Sequence, residues 1–432
     1  MDPSAIFSLV LIFSWLAHLW ELYLSWRQYR KYVEIETVPA EVSEVMDQET
    51  FAKSRLYKID RSRYHFVFSI YEQIQDTAIL ALGLIPWFWA YSGGLARNWG
   101  YTGEIVQSCV FMVLGSLLSA VIGLPWKLYD TFVVEERHGF NKQTLGFFFK
   151  DQAKKMVVAL VLMVPIMAAV IWIIQATGDN FFVYVWLFTT VILLALITIY
   201  PDFIAPLFDK YTPLPEGQLR LRIEQLAAKL SFPLTQLYVV EGSKRSSHSN
   251  AYLYGFWKNK RIVLFDTLIA GWGSTEEEKA KGMSEDEIMG VLGHELGHWS
   301  LSHFLFNLTI MEANNFLIFF FFGFLHQRSD VFSAFGFPDS QPTFIGLMLI
   351  FQYIFAPYHM LVEFGVVALT RKMEFAADTF SANLGYTKEL ASGLVKLGKD
   401  NLSFPVNDWL YSMWHHSHPP IPERVRVLKK ME

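Results

Sequence analysis

Cysteine is almost absent from this sequence of 432 residues, which contains only Cys109. A single cysteine excludes an intramolecular disulfide and any metal site built on several thiolates. If the chain binds a metal, histidine and carboxylate side chains must therefore hold it. Cys109 lies in an apolar run, and we interpret it as a packing residue.

Charged side chains are also scarce. They make up 18% of the chain, against 53% hydrophobic and 16% aromatic residues, and the mean hydropathy is +0.27. This composition is typical of a protein that crosses the lipid bilayer several times. The formal net charge of -5 is small, so we predict no nucleic-acid partner.

Apolar runs of about 20 residues predict seven transmembrane helices. The first is interpreted as a membrane anchor because no basic residue precedes Arg27 and no small-x-small cleavage site follows. The seven predicted spans are 5–25, 69–91, 105–125, 156–176, 181–201, 303–325 and 344–367.

Lysine and arginine alternate between the segments outside these spans, which carry, in chain order, 0, 8, 1, 6, 0, 11, 1 and 9 of them. Because positive charge favours the cytoplasmic side, the N-terminus is predicted to be lumenal. The predicted cytoplasmic segments are 26–68, 126–155, 202–302 and 368–432. The chain is thus divided into spans one to five (1–201), a polar part (202–302), spans six and seven (303–367) and a second polar part (368–432).

Polar side chains interrupt three of the spans. Burying them in lipid is costly, so they should face a bundle interior or water. A hydrated intramembrane cavity and hydrogen bonding between helices both explain them. They are Glu72, Gln73, Gln75 and Asp76 in the second span, Glu312, Asn314 and Asn315 in the sixth, and His359 and Glu363 in the seventh.

A His-Glu-x-x-His pattern at 294–298 indicates a metal site with a general base. On a helix His294 and His298 lie one turn apart on the same face, so both imidazoles can bind one Zn²⁺ ion. Glu295 is then placed as the general base that takes a proton from a water molecule activated by the metal. The alternative is an ordinary helix with two surface histidines.

A catalytic zinc ion usually has three protein ligands. Glu374 is the best candidate for the third, because its helix begins just after the seventh span and returns to the compartment of His294. Asp378, one turn later, is predicted to accept the free ring N–H of a liganding histidine. The alternative is that both acids are solvated helix charges.

The surrounding polar parts predict a small mixed domain. An amphipathic helix is predicted at 216–230, a strand at 237–241, a β-hairpin from 251–256 and 261–266, and a helix at 369–385. Ser284 and Glu287 form a capping box at the start of the motif helix, after a loop at 271–287 that is predicted to be mobile. The hairpin either presents an edge to an extended peptide or merely packs the domain.

His418 and Arg424 are candidates for contacting the reacting carbonyl, where a hydrogen-bonding or cationic group stabilises the developing oxyanion. The run that contains His415, His416 and His418 is alternatively a second metal site or a surface cluster.

Several motifs together resemble those of the integral-membrane zinc CaaX prenyl proteases, the type also associated with prelamin A maturation, over essentially the whole chain. They are Glu136-Arg-His-Gly-Phe-Asn141, Ser249-Asn-Ala-Tyr252, His294-Glu-Leu-Gly-His298, Glu374-Phe-Ala-Ala-Asp378 and Ser417-His-Pro-Pro420.

The resemblance implies a mainly α, polytopic membrane protein in which seven helices enclose a hydrated chamber roofed by a zinc metalloprotease domain. It implies removal of the aaX tripeptide from farnesylated CaaX proteins, and in some members a second, upstream cleavage. His294, His298 and Glu374 would bind one zinc ion, Glu295 would be the base, and Asn250 would hold the substrate backbone. His418 and Arg424 would line the active site.

The same resemblance implies residence in the endoplasmic reticulum membrane and, in animals, also the inner nuclear membrane. A monomer is compatible with every motif. Two other hypotheses remain at this stage: a quality-control membrane zinc protease, and a transporter or channel with a polar interior. The transporter hypothesis leaves the zinc motif unexplained, and the spans show no internal repeat.

Overall fold

Helices dominate the computed structural model, which describes residues 1–43, 46–246, 248–255, 259–272 and 281–432. The helices are α1 (Pro3–Glu34), α2 (Gln48–Ala81), α3 (Leu84–Asn98), α4 (Glu104–Tyr129), α5 (Leu145–Ala176), α6 (Phe181–Ile199), α7 (Gln218–Lys229), α8 (Glu285–Ser300), α9 (His303–Leu325), α10 (Ser329–Ala334), α11 (Thr343–Leu349), α12 (Ala356–Asn383), α13 (Thr387–Asp400), α14 (Trp409–His415) and α15 (Ile421–Lys429).

Five single helices within the described ranges are long and apolar enough to cross a membrane: α1, α4, α5, α6 and α9. The other two predicted spans coincide with two bent pairs, α2 with α3 and α11 with α12. If each bent pair makes one crossing, the total is seven, the number predicted from the apolar runs.

The two bends have local backbone causes. The first pair turns by 67° at Gly83, whose φ of 62° is left-handed. The second pair turns by 59° after a π-helical turn at Ile350–Ile354, and Pro357 lies in the first turn of α12. An apolar run does not reveal the direction of the backbone, so the sequence predicted both spans as uninterrupted helices.

A four-stranded sheet forms the second architectural element. Its strands are β1 (Tyr211–Pro213), β2 (Leu234–Val240), β3 (Ala251–Tyr254) and β4 (Lys260–Phe265), in the order β1-β2-β4-β3. The central pair β2–β4 is parallel, and the two outer pairs are antiparallel. The predicted hairpin is therefore confirmed as β3–β4, with β3 at the edge of the sheet. The tip of its turn, 256–258, lies outside the described residues.

The motif helix α8 lies at the centre of the largest apolar core. The predicted capping box is confirmed: Ser284 Oγ accepts from the Glu287 amide, and the Glu287 carboxylate accepts from the Ser284 amide at 2.9 Å. The buried side chains of α8 pack with those of the sheet, α7, α13 and α15. This packing explains why the motif helix is so apolar. In the loop predicted to be mobile, 273–280 lie outside the described residues.

Three glycines of α8 let other helices approach its backbone. A Cβ placed on Gly290 would lie 2.4 Å from the backbone nitrogen of Leu390 in α13. A Cβ on Gly297 would lie 3.2 Å from Cα of Ala377 in α12, and Gly293 is similarly crowded by Ser381. Since these contacts involve backbone or buried atoms, a larger residue would force the helices apart.

The polar side chains in the membrane spans have two kinds of environment. Some form hydrogen bonds between helices, and others line a cavity, so each of the two explanations left open by the sequence applies to part of them. Those of α9 bond to neighbouring helices: Asn314 accepts from Tyr358 at 2.6 Å, and Asn315 donates to Thr189 at 3.1 Å. Asp76 accepts from Tyr353. The polar residues of α2, together with side chains of α1 and α14, line a cavity of about 620 Å³; they are Glu72, Gln73, Gln75 and Asp76.

Hydrogen bonds connect α14, in the C-terminal polar part, to the first membrane helix α1. Arg27 in α1 makes two hydrogen bonds of 2.9 Å to the carboxylate of Asp408, which also caps α14. The Gln28 side chain accepts from the Asp408 amide at 2.7 Å, and Trp414 donates to Glu21 at 2.9 Å. The helix predicted at 369–385 is the end of the continuous helix α12, and Gly385 follows it with a φ of 95°.

The glycine contacts yield a stability prediction. Gly290→Ala should lower the free energy of unfolding by about 2 kcal/mol, because the new methyl group collides with the backbone of α13. The measurement is thermal unfolding of the purified protein in detergent. Gly365→Ala in α12 is the control, since its added Cβ would have no atom within 4 Å apart from the adjoining residues and backbone of its own helix. Equal stability of both variants would show that the close approach is not a constraint.

Candidate metal centre

Three side chains from two helices converge on one point. His294 and His298 project from the same face of α8, and their Nε2 atoms are 3.1 Å apart. From α12, Glu374 places Oε1 3.2 Å from Nε2 of His298 and Oε2 3.5 Å from Nε2 of His294. The residues predicted as ligands are thus brought together from distant parts of the chain, and together they form a possible metal site.

The spacing of these atoms fits a small metal ion. Two ligands of a tetrahedral ion at about 2.0–2.1 Å are separated by roughly 3.3 Å, close to the three distances between these atoms. Glu374 is 1% exposed, and its Oε2 lies 2.8 Å from Nδ1 of His418 but has no well-aligned hydrogen-bond donor among the described residues. A buried carboxylate oxygen without a donor is costly unless another group, such as a cation, compensates it. Two imidazoles and one carboxylate are a common donor set for zinc.

A buried ion pair supports the first histidine. Asp378 is fully buried, and its Oδ1 lies 2.9 Å from Nδ1 of His294, where it can accept the ring N–H. Arg424 donates to both carboxylate oxygens of Asp378, at 2.8 and 2.6 Å. This bidentate pair fixes the orientation of Asp378, and hence the ring of His294.

The pKa values of Glu374 and Asp378 are set by two opposing effects, burial and neighbouring basic side chains. Burial raises the pKa of Glu374, but interactions with His298 and His418 outweigh it and hold this pKa well below its ordinary value. Burial likewise raises the pKa of Asp378, and His294 and Arg424 more than reverse that change. Both acids therefore remain ionised, the state in which a carboxylate binds a cation.

His303 was not identified from the sequence. Its Nδ1 lies 2.9 Å from Nδ1 of His298, so the second metal-facing histidine also has a hydrogen-bonding partner on its outer nitrogen. His303 follows Ser302, whose φ of 57° ends the path of α8 before α9 begins. Because the helical periodicity of α8 does not continue through Ser302, it cannot predict that His303 lies next to His298. The only sequence signal is a third histidine shortly after the motif.

Glu295 faces a different environment from the three ligand candidates. Burial raises the pKa of its carboxyl above the ordinary value. Together with His298 it lines a cavity of about 500 Å³ whose other walls are mainly apolar. A carboxylate in a partly dry site beside a metal is suited to accepting a proton.

Asn250, His418 and Arg424 line a second cavity of about 500 Å³. His418 Nδ1 lies 2.8 Å from Oε2 of Glu374, and this carboxylate raises the pKa of His418. Asn250 is exposed at the start of the edge strand β3, and the preceding amide, of Ser249, donates to Asn401 at 3.0 Å. Arg424 is 6% exposed and is largely engaged by Asp378, so the structure places it mainly behind the metal site.

His415 and His416 lie apart from this centre. His415 Nε2 is 3.1 Å from Oε2 of Glu21 in α1. Burial lowers the pKa of His416 to about 4, and its backbone carbonyl accepts from Arg371. Within the described residues, the group whose ligand atoms converge is that of His294, His298 and Glu374, so the structure offers no support for a second metal site here.

Comparisons with known families match nearly the whole chain. Residues 28–210 match the family described as CAAX prenyl protease N-terminal, five membrane helices. Residues 213–432 match peptidase family M48. The boundary between the two matches falls at the end of the fifth predicted span, where the membrane helices give way to the sheet.

Individual proteins are similar over their full lengths. The chain is 52% identical to the CAAX prenyl protease 1 homolog of Homo sapiens, covering 99% of this chain and 96% of that protein. It is 45% identical to the homolog of Arabidopsis thaliana, with 95% and 94% covered. Among solved structures, the crystal structure of S. mikatae Ste24p superposes with a TM-score of 0.90 at 34% identity and covers 99% of both chains.

Proposed function

Because the chain belongs to peptidase family M48 and carries the CAAX prenyl protease N-terminal region, we propose that this metalloprotease uses zinc to remove the C-terminal aaX tripeptide from farnesylated CaaX proteins. The convergence of His294, His298 and Glu374 beside Glu295 is the observation that carries the proposal. Its substrates would be prenylated proteins, as the name CAAX prenyl protease 1 homolog indicates for its relatives.

Each residue of the centre has a role in peptide hydrolysis. When bound, zinc supplies Lewis-acid chemistry and lowers the pKa of water. Glu295 takes a proton from the attacking water and returns it to the amine nitrogen that leaves when the peptide bond breaks. His418, whose pKa is raised by Glu374, donates a hydrogen bond to the developing oxyanion. Arg424 contributes positive charge from behind Glu374, 3.5 Å away.

The edge strand provides the surface for an extended peptide. The outer edge of β3 is free to pair with another strand in the described part of the sheet, and Asn250 precedes it. A substrate segment that adds to this edge has its backbone held by hydrogen bonds, and the Asn250 side chain supplies one more. Upstream cleavage at a second site of the same substrate is part of this proposal, since an edge strand binds backbone rather than one particular sequence.

Substitution of Glu295 and of Glu374 should have different effects, one on turnover and the other on metal binding. Glu295→Gln should retain stoichiometric metal but lower kcat by roughly 10²–10⁴-fold, because an amide cannot accept the proton. Metal content by plasma mass spectrometry and turnover of a peptide substrate are measured on the same sample. Glu374→Ala is the contrasting variant and should lose the metal itself. Wild-type turnover in Glu295→Gln would remove this residue as the base.

The cleaved bond and the lipid requirement can be read from one experiment. Purified protein should release the intact aaX tripeptide from a farnesylated CaaX peptide, and zinc chelation should abolish the reaction. Mass spectrometry of the products checks this. An otherwise identical peptide without the farnesyl group should be cleaved much more slowly. Equal cleavage of both peptides would instead indicate a quality-control protease.

We also propose residence in the endoplasmic reticulum membrane, and in animals the inner nuclear membrane, with the metal centre on the cytoplasmic side. The alternation of Lys and Arg between the spans supports the orientation. The similarity to CAAX prenyl protease 1 homologs supports the choice of membrane. In sealed microsomes, an external protease should therefore digest a tag at the C-terminus and leave a tag at the N-terminus intact. Protection of the C-terminal tag would reverse the orientation.

A further inference from the structure

Two cavities reach the metal centre, and their chemistry differs. The first, of about 500 Å³, opens onto Glu295 and His298. Its walls come from the membrane helices α6 and α9, the edge strand β3 and the end of α8, and they are mainly apolar. Lys260 also lines this cavity, and its amine donates to the backbone carbonyl of Gly255 at 2.7 Å. The residues that form these walls include Leu196, Ile197, Leu253, Trp299 and Phe304.

The second cavity, called the polar cavity here because it is the more polar of the two, opens onto His418 and Arg424. Besides Asn250 it contains Lys58 from α2, whose ammonium group packs against the ring of Tyr57. Lys58 has no ion-pair partner in the described ranges. This cavity therefore offers basic and hydrogen-bonding side chains, and the two cavities share no lining residue.

The proposed substrate is likewise apolar on one side of the cleaved bond and polar on the other. On the amino side of the bond is a cysteine with a farnesyl thioether, which is a flexible hydrocarbon chain. On the carboxyl side are three residues that end in a free carboxylate. Burying hydrocarbon is favourable, whereas a carboxylate placed in an apolar cavity would lose its hydration without a partner.

We infer that the apolar cavity formed by α6, α9 and β3 binds the isoprenoid chain of the substrate, while the tripeptide and its carboxylate extend into the polar cavity. The inference rests on the proposed function. A cavity of about 500 Å³ lies in the range of specific small-molecule sites. The apolar cavity is lined by Glu295 and His298, and the polar cavity is lined by His418, which lies 2.8 Å from Glu374. A substrate that occupies both cavities therefore has the bond after the prenylated cysteine beside Glu295.

The inference predicts selectivity for chain length. Ile197→Trp should shorten the apolar cavity and raise KM for a farnesylated peptide at least roughly tenfold, because overpacking opposes the long chain. The same peptide with a geranyl group, one isoprene unit shorter, should be affected much less. Ile199→Trp is the matched control, since Ile199 lies two residues further along α6, is 39% exposed and does not line the cavity.

The outcomes distinguish this site from the proposed function. If the wild-type protein does not cleave the farnesylated peptide, the proposed function fails. If it does, but Ile197→Trp raises KM equally for both chain lengths or for neither, only the isoprenoid site is refuted. A KM change that follows the size of the two aliphatic residues of aaX would assign the cavity to the tripeptide and overturn the inference.

A crosslinking measurement on the full chain gives an independent test. A benzophenone-bearing farnesyl analogue on the same peptide should label Leu196, Ile197 or Phe304, as mapped by mass spectrometry, and excess farnesylated peptide should suppress the labelling. Labels at Lys58 or Asn250 would overturn the inference. Labelling of the apolar cavity that excess farnesylated peptide fails to suppress would indicate nonspecific partitioning of the hydrocarbon chain and would also refute the inference.

Discussion

The close approach of α8 to α12 is the constraint on which the metal centre depends. Gly293 and Gly297 remove the side chains that would hold the two helices apart, so that Ala377 and Ser381 lie against the backbone of α8. Only at this separation does Glu374 reach both histidine nitrogens. The glycines within the motif therefore contribute as much to the geometry as its histidines do, although they carry no reactive group.

Burial of charge around this contact would be unfavourable without specific pairing. Asp378 and Arg424 are both buried, and their bidentate pair compensates part of the lost hydration. The pair also connects α12 to α15, so the last helix of the chain supports the orientation of His294. The position of His294, the first candidate ligand, thus depends on residues that are far apart in sequence.

Side-chain hydrogen bonds and one continuous helix connect the membrane part to the peptidase part. Arg27 and Gln28, at the end of the first membrane helix, hold Asp408 and the start of α14, and Glu21 holds Trp414. The segment with His418 follows directly. α12 provides the second connection, because one continuous helix leads from the bent seventh span to Glu374. These contacts fix the position of the candidate metal centre relative to the membrane helices.

Sequence by itself determined the class of the protein, the positions of its apolar spans, the capped motif helix, the β3–β4 hairpin and the candidate ligands. The spans, the capping box and the hairpin are expressed locally, through hydropathy, helical spacing and turn chemistry, so neighbouring residues suffice to predict them. The class of the protein and the third candidate ligand came instead from several separated motifs and from the order of the spans. The roles of Asn250, His418 and Arg424 remain predictions. Tertiary structure alone decided the bends of two spans, the partnership of His303 with His298, the placement of Arg424 behind Asp378 and the contrast between the two cavities. Each depends on backbone direction or on packing between distant segments, which no local pattern encodes.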